Sequence, residues 1–407
     1  MPDRELLERY ADLAVRVGAN VQPGQELEIV CLVEHVPMAR AISKAAWEAG
    51  ASYVTVGYRD QHVKRDLIEH GSEEALKRTP PWLMTQFEYM IDVKGALVEI
   101  TGNPEPDLYE GLDEGRIGRT RMLEFAELTG RMTNDGLMSW TIVAFPTEGW
   151  ATRVFGEPDV ERLWKAVGAA VRLDAPDPVE AWRTHVAKLL ERAARLNERR
   201  FTGVRYRGPG TDLTVGLPKG STWRAAEFTT AWGTKHIPNL PTEEVFTTPD
   251  PRQAEGVVRS TRPLSIPGHG IVVRDLELEF EGGRITQVRA STGADVIRAQ
   301  TQLDEGAARL GELALVDGES AVGRTGITFW DTLFDENATS HIAYGRGIAM
   351  CIEGAMGLSP EEQKVLGVND SVIHTDFMVG GPEVDIDGVT EEGTHVPILR
   401  DDVWQLT

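Results

Sequence analysis

Two cysteines in 407 residues, Cys31 and Cys351, stand far apart in the apolar settings IVCLV and AMCIE. That excludes a disulfide framework and a thiolate zinc clamp, and it predicts two small core residues of a reduced compartment. No apolar run reaches the ~18 residues of a membrane span. Nor does a basic-then-apolar leader open the chain, so the expectation is a cytoplasmic protein. Basic residues are in short supply, 42 against 64 acidic ones, for a net charge of −22. A surface of that sign repels phosphate backbones and anionic lipid, which argues against nucleic acid and membrane as partners and leaves room for cations and free ammonium groups. The motifs HExxH, GxSxG and GxxxxGK[ST] are all missing. Gly345-Arg346-Gly347 opens like a dinucleotide fingerprint, but Met350 stands where the third glycine belongs. There is no internal repeat and no low-complexity tract.

What is present suggests two or three domains. The apolar stripe of 4–18 (Leu6, Leu7, Tyr10, Leu13, Ala14, Val17) predicts a helix closed by Gly18. ELEIVCLV at 26–33, a helix over 36–48 ended by Gly50, and YVTVGY at 53–58 then follow with short joints. Strand, helix, strand in that rhythm is the mark of a parallel α/β unit. Further strands are expected at 96–101 and 139–145, with helices near 66–77 and 81–89 between them. The helical patterns at 158–172 and 178–199 look like a connector. From Phe201 the texture turns to β, with turn residues at 208–210 and a hairpin signal at Gly282-Gly283. The predicted organisation is an α/β N-terminal domain with a mostly parallel sheet (1–156), a helical connector (157–199) and an α+β metal-binding catalytic domain (200–407).

Chemistry gathers in that last part. SVIHTDFMV reads as a strand, and side chains at i and i+2 of a strand share a face, so His374 and Asp376 point the same way, roughly 7 Å apart at Cα. Glu336 and His341 are five apart, a spacing that suits a turn leading into a new element rather than one helix face. Glu243 and Glu244 lie between Pro241 and Pro249 in a stretch too constrained for helix. Adjacent residues of an extended segment face opposite sides, so only one of the two can aim at a given site. Glu312 stands at the mouth of the apolar run LALV. One of the paired glutamates, together with Glu312, Glu336, His341, His374 and Asp376, makes a ligand set for one or two divalent ions. Carboxylate and imidazole without thiolate suit zinc, cobalt or manganese. Asp385-Ile386-Asp387 repeats the spacing of His374 and Asp376 without an imidazole. The other histidines, His35, His62, His70, His185, His236, His269 and His395, lack acidic company in any repeated pattern and are expected as surface or core residues. Trp82, Trp140, Trp150 and Trp182 are expected in the core.

Four segments, NLPTEEVFTTPD, GELALV, FWDTLFDENATSHIAYG and VIHTDFMVGG, closely resemble the M29 family of metallo-aminopeptidases, the aminopeptidase T and aminopeptidase S group. AVRVGANVQPGQELEI near the start and EVDIDGVTEEGTHVPI near the end extend the likeness along the chain. The resemblance implies an exopeptidase that removes N-terminal residues from peptides, uses two divalent metal ions (zinc, cobalt, manganese or magnesium) and assembles as a homodimer. By position it implies metal ligands at Glu244, Glu312, His341, His374 and Asp376. The family's further site glutamate falls on Glu336, as a ligand or as the catalytic acid–base. The family also carries a site tyrosine seven residues after the first histidine, and here that position is Ile348. Tyr344, three residues after His341, is the candidate to supply the missing catalytic hydroxyl. Two other readings use the same ligands: a metal-dependent hydrolase of another amide or a phosphoester, and a catalytically weak peptide-binding homologue, which Ile348 suggests.

Overall fold

A computed structural model describes residues 3–266 and 271–406, which leaves His269 outside the described residues. The chain forms two compact units, Met1–His185 with Ala226–Thr242, and Val186–Ala225 with Glu243–Thr407.

In the first unit, helix α1 (Arg4–Leu13) starts at Asp3, whose carboxylate accepts from Glu5 N, and runs on as a π-helical turn over Ala14–Gly18. The turn ends at glycine because it comes down on the sheet. A Cβ at Gly18 would sit 2.7 Å from Thr141 Oγ1. Strands β1 (Glu26–Leu32), β2 (Tyr53–Arg59), β3 (Ala96–Thr101) and β4 (Ser139–Ala144) form a parallel sheet in the order β2-β1-β3-β4. The helix that crosses from β1 to β2 is α2 (Val36–Glu48), which buries Met38, Ala39, Ile42, Ala45 and Ala46 at helical spacing. A parallel sheet needs such crossovers, and the sequence rhythm had announced them. The stretch 226–242 returns to this unit, where Asn239 bridges Ile142 in parallel and Tyr10 Oη lies 3.4 Å from Leu240 O. Trp150 and Trp182 are buried and Trp140 is half-buried, but Trp82 is 67% exposed. Its helix turns Phe87 and Met90 inward, and a residue five positions before Phe87 lies well round the helix from it.

Residues 157–177 lie within the first unit, and the unit boundary falls inside helix α3 (Pro178–Arg199), between His185 and Val186. Both of its ends are amphipathic, and each buries its apolar side within its own unit: Trp182 in one, Leu189 and Leu196 in the other.

The second unit is α+β. One of its sheets has eight antiparallel strands and includes the expected hairpin, in which Glu277–Glu281 pairs with Arg284–Arg289 across Gly282 and Gly283. Both glycines have positive φ, +55° and +77°, as a tight two-residue hairpin turn demands. The Asp385-Ile386-Asp387 motif lies here and is structural: Asp387 is 1% exposed and takes the guanidinium groups of Arg207 and Arg400. The other large sheet has five strands: β5 (Arg224–Ala225), β6 (Val245–Thr247), β7 (Leu310–Leu315), β8 (His341–Gly345) and β9 (His374–Met378). They run in the order β9-β8-β7-β6-β5, every pair antiparallel. A short helix, α4 (Thr332–Glu336), leads into β8 through the turn that the five-residue spacing of Glu336 and His341 called for.

Candidate metal centre

The register of the five-stranded sheet decides which side chains share a face. Residues directly opposite in an antiparallel pair point the same way, and alternate residues of one strand do too. Ala343 faces Asp376 and Glu312, Gly345 faces His374, and His341 faces Ala314, which faces Phe246. His341, Glu312, His374 and Asp376 therefore emerge on one side, and Glu244, two residues before Phe246, emerges with them. The four segments converge.

Their atoms form two triads, Glu244–Glu312–His341 and Glu312–His374–Asp376. In each, one ligand atom per residue lies within 4.8 Å of the others, and Glu312 belongs to both. His341 Nε2 lies 2.9 Å from Glu244 Oε2, and His374 Nε2 lies 2.9 Å from Glu312 Oε2 and 3.5 Å from Asp376 Oδ1. The other ring nitrogens turn to backbone: His374 Nδ1 is 2.8 Å from Arg346 O, and His341 Nδ1 is 3.4 Å from Thr339 O. A ring whose Nδ1–H is spent on a carbonyl presents Nε2 as a ligand, the arrangement common around metal-binding histidines.

Burial makes the cluster costly without a cation. Glu244, Glu312 and Glu336 are at least 91% buried and His341 is 99% buried. Burial, with the charge of Asp376 next, holds the Glu336 carboxyl well above the usual carboxylate range, and the charges of Glu244 and Glu312 push the same way against His341. Burial also raises Glu312, assisted by Glu244 and Asp376 and opposed by His374. His341 shows the reverse balance: burial disfavours its imidazolium, yet the bond to Glu244 and the charges of Glu244, Glu336 and Asp376 carry its pKa up to about 10. The Asp376 Oδ1 atom is buried and accepts no hydrogen bond. In the state that can bind metal, with all four acids ionised and both imidazoles neutral, the cluster would carry −4, a charge that a low-dielectric site retains only against cations. The oxygen and nitrogen donors fit hard to borderline divalent ions.

Local chemistry holds these groups in place. β7 is bulged between Leu310 and Glu312, and bulges beside functional sites re-aim a side chain. The extra residue is Gly311, where a Cβ would come 2.2 Å from Arg346 O. Asn337, fully buried, accepts from Glu243 N at 2.7 Å and donates to Leu333 O at 2.8 Å, tying the Glu243–Glu244 segment to the end of α4. Asp335 Oδ1 accepts from Phe329 N at 2.7 Å, and burial pushes its pKa up to about 7. Asp335 thus shapes the turn that presents Glu336 and lies outside both triads. Asn337 and Gly311 escaped the reading of the sequence. Their only signal was their place beside the acids.

Tyr344 requires a correction. It is three residues from His341 on the same strand, so alternation turns it to the opposite face, where its hydroxyl donates to Gln300 Oε1. It does not stand in for the tyrosine that the resemblance expects at Ile348. Ile348 itself is tied down by its backbone: its N donates to Thr248 Oγ1 at 2.8 Å, and that hydroxyl lies 2.9 Å from Ile348 O. Of the remaining histidines, His35 and His185 are buried on backbone carbonyls of Gly102 and Thr242, and His236 is buried against Trp140 and Phe228. His62 lies 2.7 Å from Glu105 Oε1, while His70 and His395 are exposed. Both cysteines are free and buried. Among the described residues, no helix is long and apolar enough to cross a membrane.

Known proteins share this architecture from end to end. The family model for thermophilic metalloprotease (M29) matches residues 3–404. Aminopeptidase T of Thermus aquaticus is 42% identical over 406 residues, with 98% of each chain covered, and aminopeptidase PepS of Streptococcus thermophilus is 36% identical with the same coverage. The solved structure of wild-type AmpT from Thermus thermophilus superposes with a TM-score of 0.89 at 38% identity and covers 99% of both chains. With its metal-ligand segments in order and its length matched throughout, the chain belongs to the M29 metalloprotease family, as a metallo-aminopeptidase.

Proposed function

We propose that the protein releases N-terminal amino acids from peptides at a dinuclear centre, with Glu312 shared by two divalent ions. The observation that carries this reading is the pair of overlapping triads with one common carboxylate. The charge count supports it, since two divalent cations balance −4. Glu244 and His341 would hold one ion with Glu312, and His374 and Asp376 the other. When bound, such ions supply a polarised scissile carbonyl and a water whose pKa is brought from that of bulk toward about 7.

The chain's own residues do the rest. Glu336 borders both triads without belonging to either. Its ionised carboxylate, made more basic by burial, accepts a proton from the attacking water, and the acid so formed returns it to the leaving amine. The substrate's ammonium is drawn to the same acidic neighbourhood, which favours an exopeptidase over an endopeptidase. Ile348 gives no hydroxyl to the transition state. Loss of one such donor costs roughly 3 kcal/mol, which slows an enzyme without silencing it. The family likeness extends the reading to a homodimer, the free cysteines to a reduced, cytoplasmic compartment, and the net charge of −22 to a protein that binds neither nucleic acid nor membrane.

Crystals soaked in zinc or cobalt, with anomalous scattering, test the centre. Two peaks flanking Glu312 are expected; one peak, or peaks elsewhere, would overturn the dinuclear reading. In parallel, the cobalt-loaded protein is offered peptides, N-acyl amides and phosphate monoesters. Release of free N-terminal amino acid from peptides alone supports the aminopeptidase. Turnover of the other esters or amides, or peptide binding without release, selects one of the competing readings.

A further inference from the structure

The metal face of the five-stranded sheet does not end with the acids. Along the row that contains His341, successive strands place Ala314, Phe246 and finally Arg224 on the same side, Arg224 on the edge strand β5. The segment after β8 flanks that strand: Thr222 N donates to Cys351 O at 2.7 Å, and Ser221 bridges Ile352. Arg224 Nε donates to Met350 O at 3.1 Å, which fixes the plane of the guanidinium. Its two terminal nitrogens make no hydrogen bond or ion pair among the described residues, and the side chain is exposed. The buried Cys351 thiol feels the charges of Glu312, Arg224 and Glu244 alike.

We propose that Arg224 receives the terminal carboxylate of a short peptide whose N-terminal residue is held at the acidic centre. This inference rests on the aminopeptidase reading above and adds a preference for di- and tripeptides with a free carboxylate. The dimensions agree. Three strand spacings put Arg224 Cα about 14 Å from His341 Cα, and the side chains on both sides take up part of that span. A peptide of two to three residues bridges roughly 7–11 Å. Chemistry agrees as well, because a guanidinium with two unengaged nitrogens in one plane matches a carboxylate bidentately. Set apart from the acids and imidazoles of the centre, it is a permanent cation that can tell the two ends of a peptide apart.

The test compares Leu-Gly-Gly, Leu-Gly-Gly-amide and leucine p-nitroanilide on the metal-loaded wild type, Arg224→Lys and Arg224→Met. Arg224→Met should raise KM for the free acid at least tenfold with little change in kcat, and leave the amide and the anilide as they were. Arg224→Lys, which keeps the charge and loses the fork, should fall between. Equal losses on all three substrates, or none on the free acid, would overturn the role of Arg224. If the wild type releases leucine from none of the three, the aminopeptidase reading itself falls. If it releases leucine equally well from acid and amide, only the present inference does.

Discussion

Replacing Glu312 by glutamine is the sharpest perturbation the structure offers, because one substitution touches both triads while keeping the size of the side chain and an acceptor for His374. The effect should reverse sign with metal. In the metal-free protein the buried Glu312 carboxylate is held among Glu244 and Asp376, and burial disfavours its charge. A neutral amide there should raise the melting temperature. In the loaded protein the same change removes one negative charge from beside both ions. Two unit charges about 4 Å apart attract by roughly 4 kcal/mol at the effective dielectric of a protein site. Losing even that much weakens binding by nearly three powers of ten at 1.36 kcal/mol per decade. The expected result is fewer than two ions per chain after dialysis, measured by elemental analysis, and a melting temperature below that of the loaded wild type. Activity on a leucine anilide should drop with metal content. A variant that retained two ions and full turnover would refute the shared-ligand reasoning. So would a metal-free variant that melted below the metal-free wild type.

Three further outcomes follow from the same geometry. With its pKa raised from 6.5 to about 10 in the metal-free fold, His341 is protonated at pH 7–9 and must lose that proton to bind metal, as must His374, which, against burial, its carboxylate neighbours also hold well above 6.5, so affinity should rise at least tenfold per pH unit over that range; calorimetry in buffers of different ionisation enthalpy should detect the released protons, and a flat profile would contradict it. The same shift makes the metal-free fold gain stability from His341 fully below pH 6.5 and lose that gain as pH climbs through about 10. Asn337→Ala leaves Glu243 N and Leu333 O without their partner, which should cost about 2–3 kcal/mol in urea unfolding and weaken metal binding 10–100-fold as displaced supporting bonds typically do; unchanged metal affinity would show that the Glu243–Glu244 segment holds itself.

Periodicity was enough for the local elements. The alternation of 26–33, 53–58, 96–101 and 139–145 with helical stretches announced a parallel sheet, because buried parallel strands and their crossovers leave a plain apolar rhythm. The same rules found the Gly282-Gly283 hairpin. They found the helices of 157–199 without saying which core takes each, since residues 157–177 lie in the first unit and the helix Pro178–Arg199 carries the boundary between the two, and they missed that its helix turns Trp82 outward. Local pattern says which face of an element is apolar. It does not say what covers that face.

Residue type and spacing, with the family likeness, were sufficient to nominate Glu244, Glu312, Glu336, His341, His374 and Asp376 as one set, since acids and imidazoles amid apolar runs have few other uses. Only the folded sheet decided which of them meet: antiparallel register brings β6, β7, β8 and β9 side by side, and that register depends on pairings as distant in sequence as Val245 with Leu315 and His341 with Met378. It also turned Tyr344 away from the acids and put Arg224 on their face. Strand alternation is local, but the choice of neighbour is not, and a site built across strands exists only once every neighbour has been chosen.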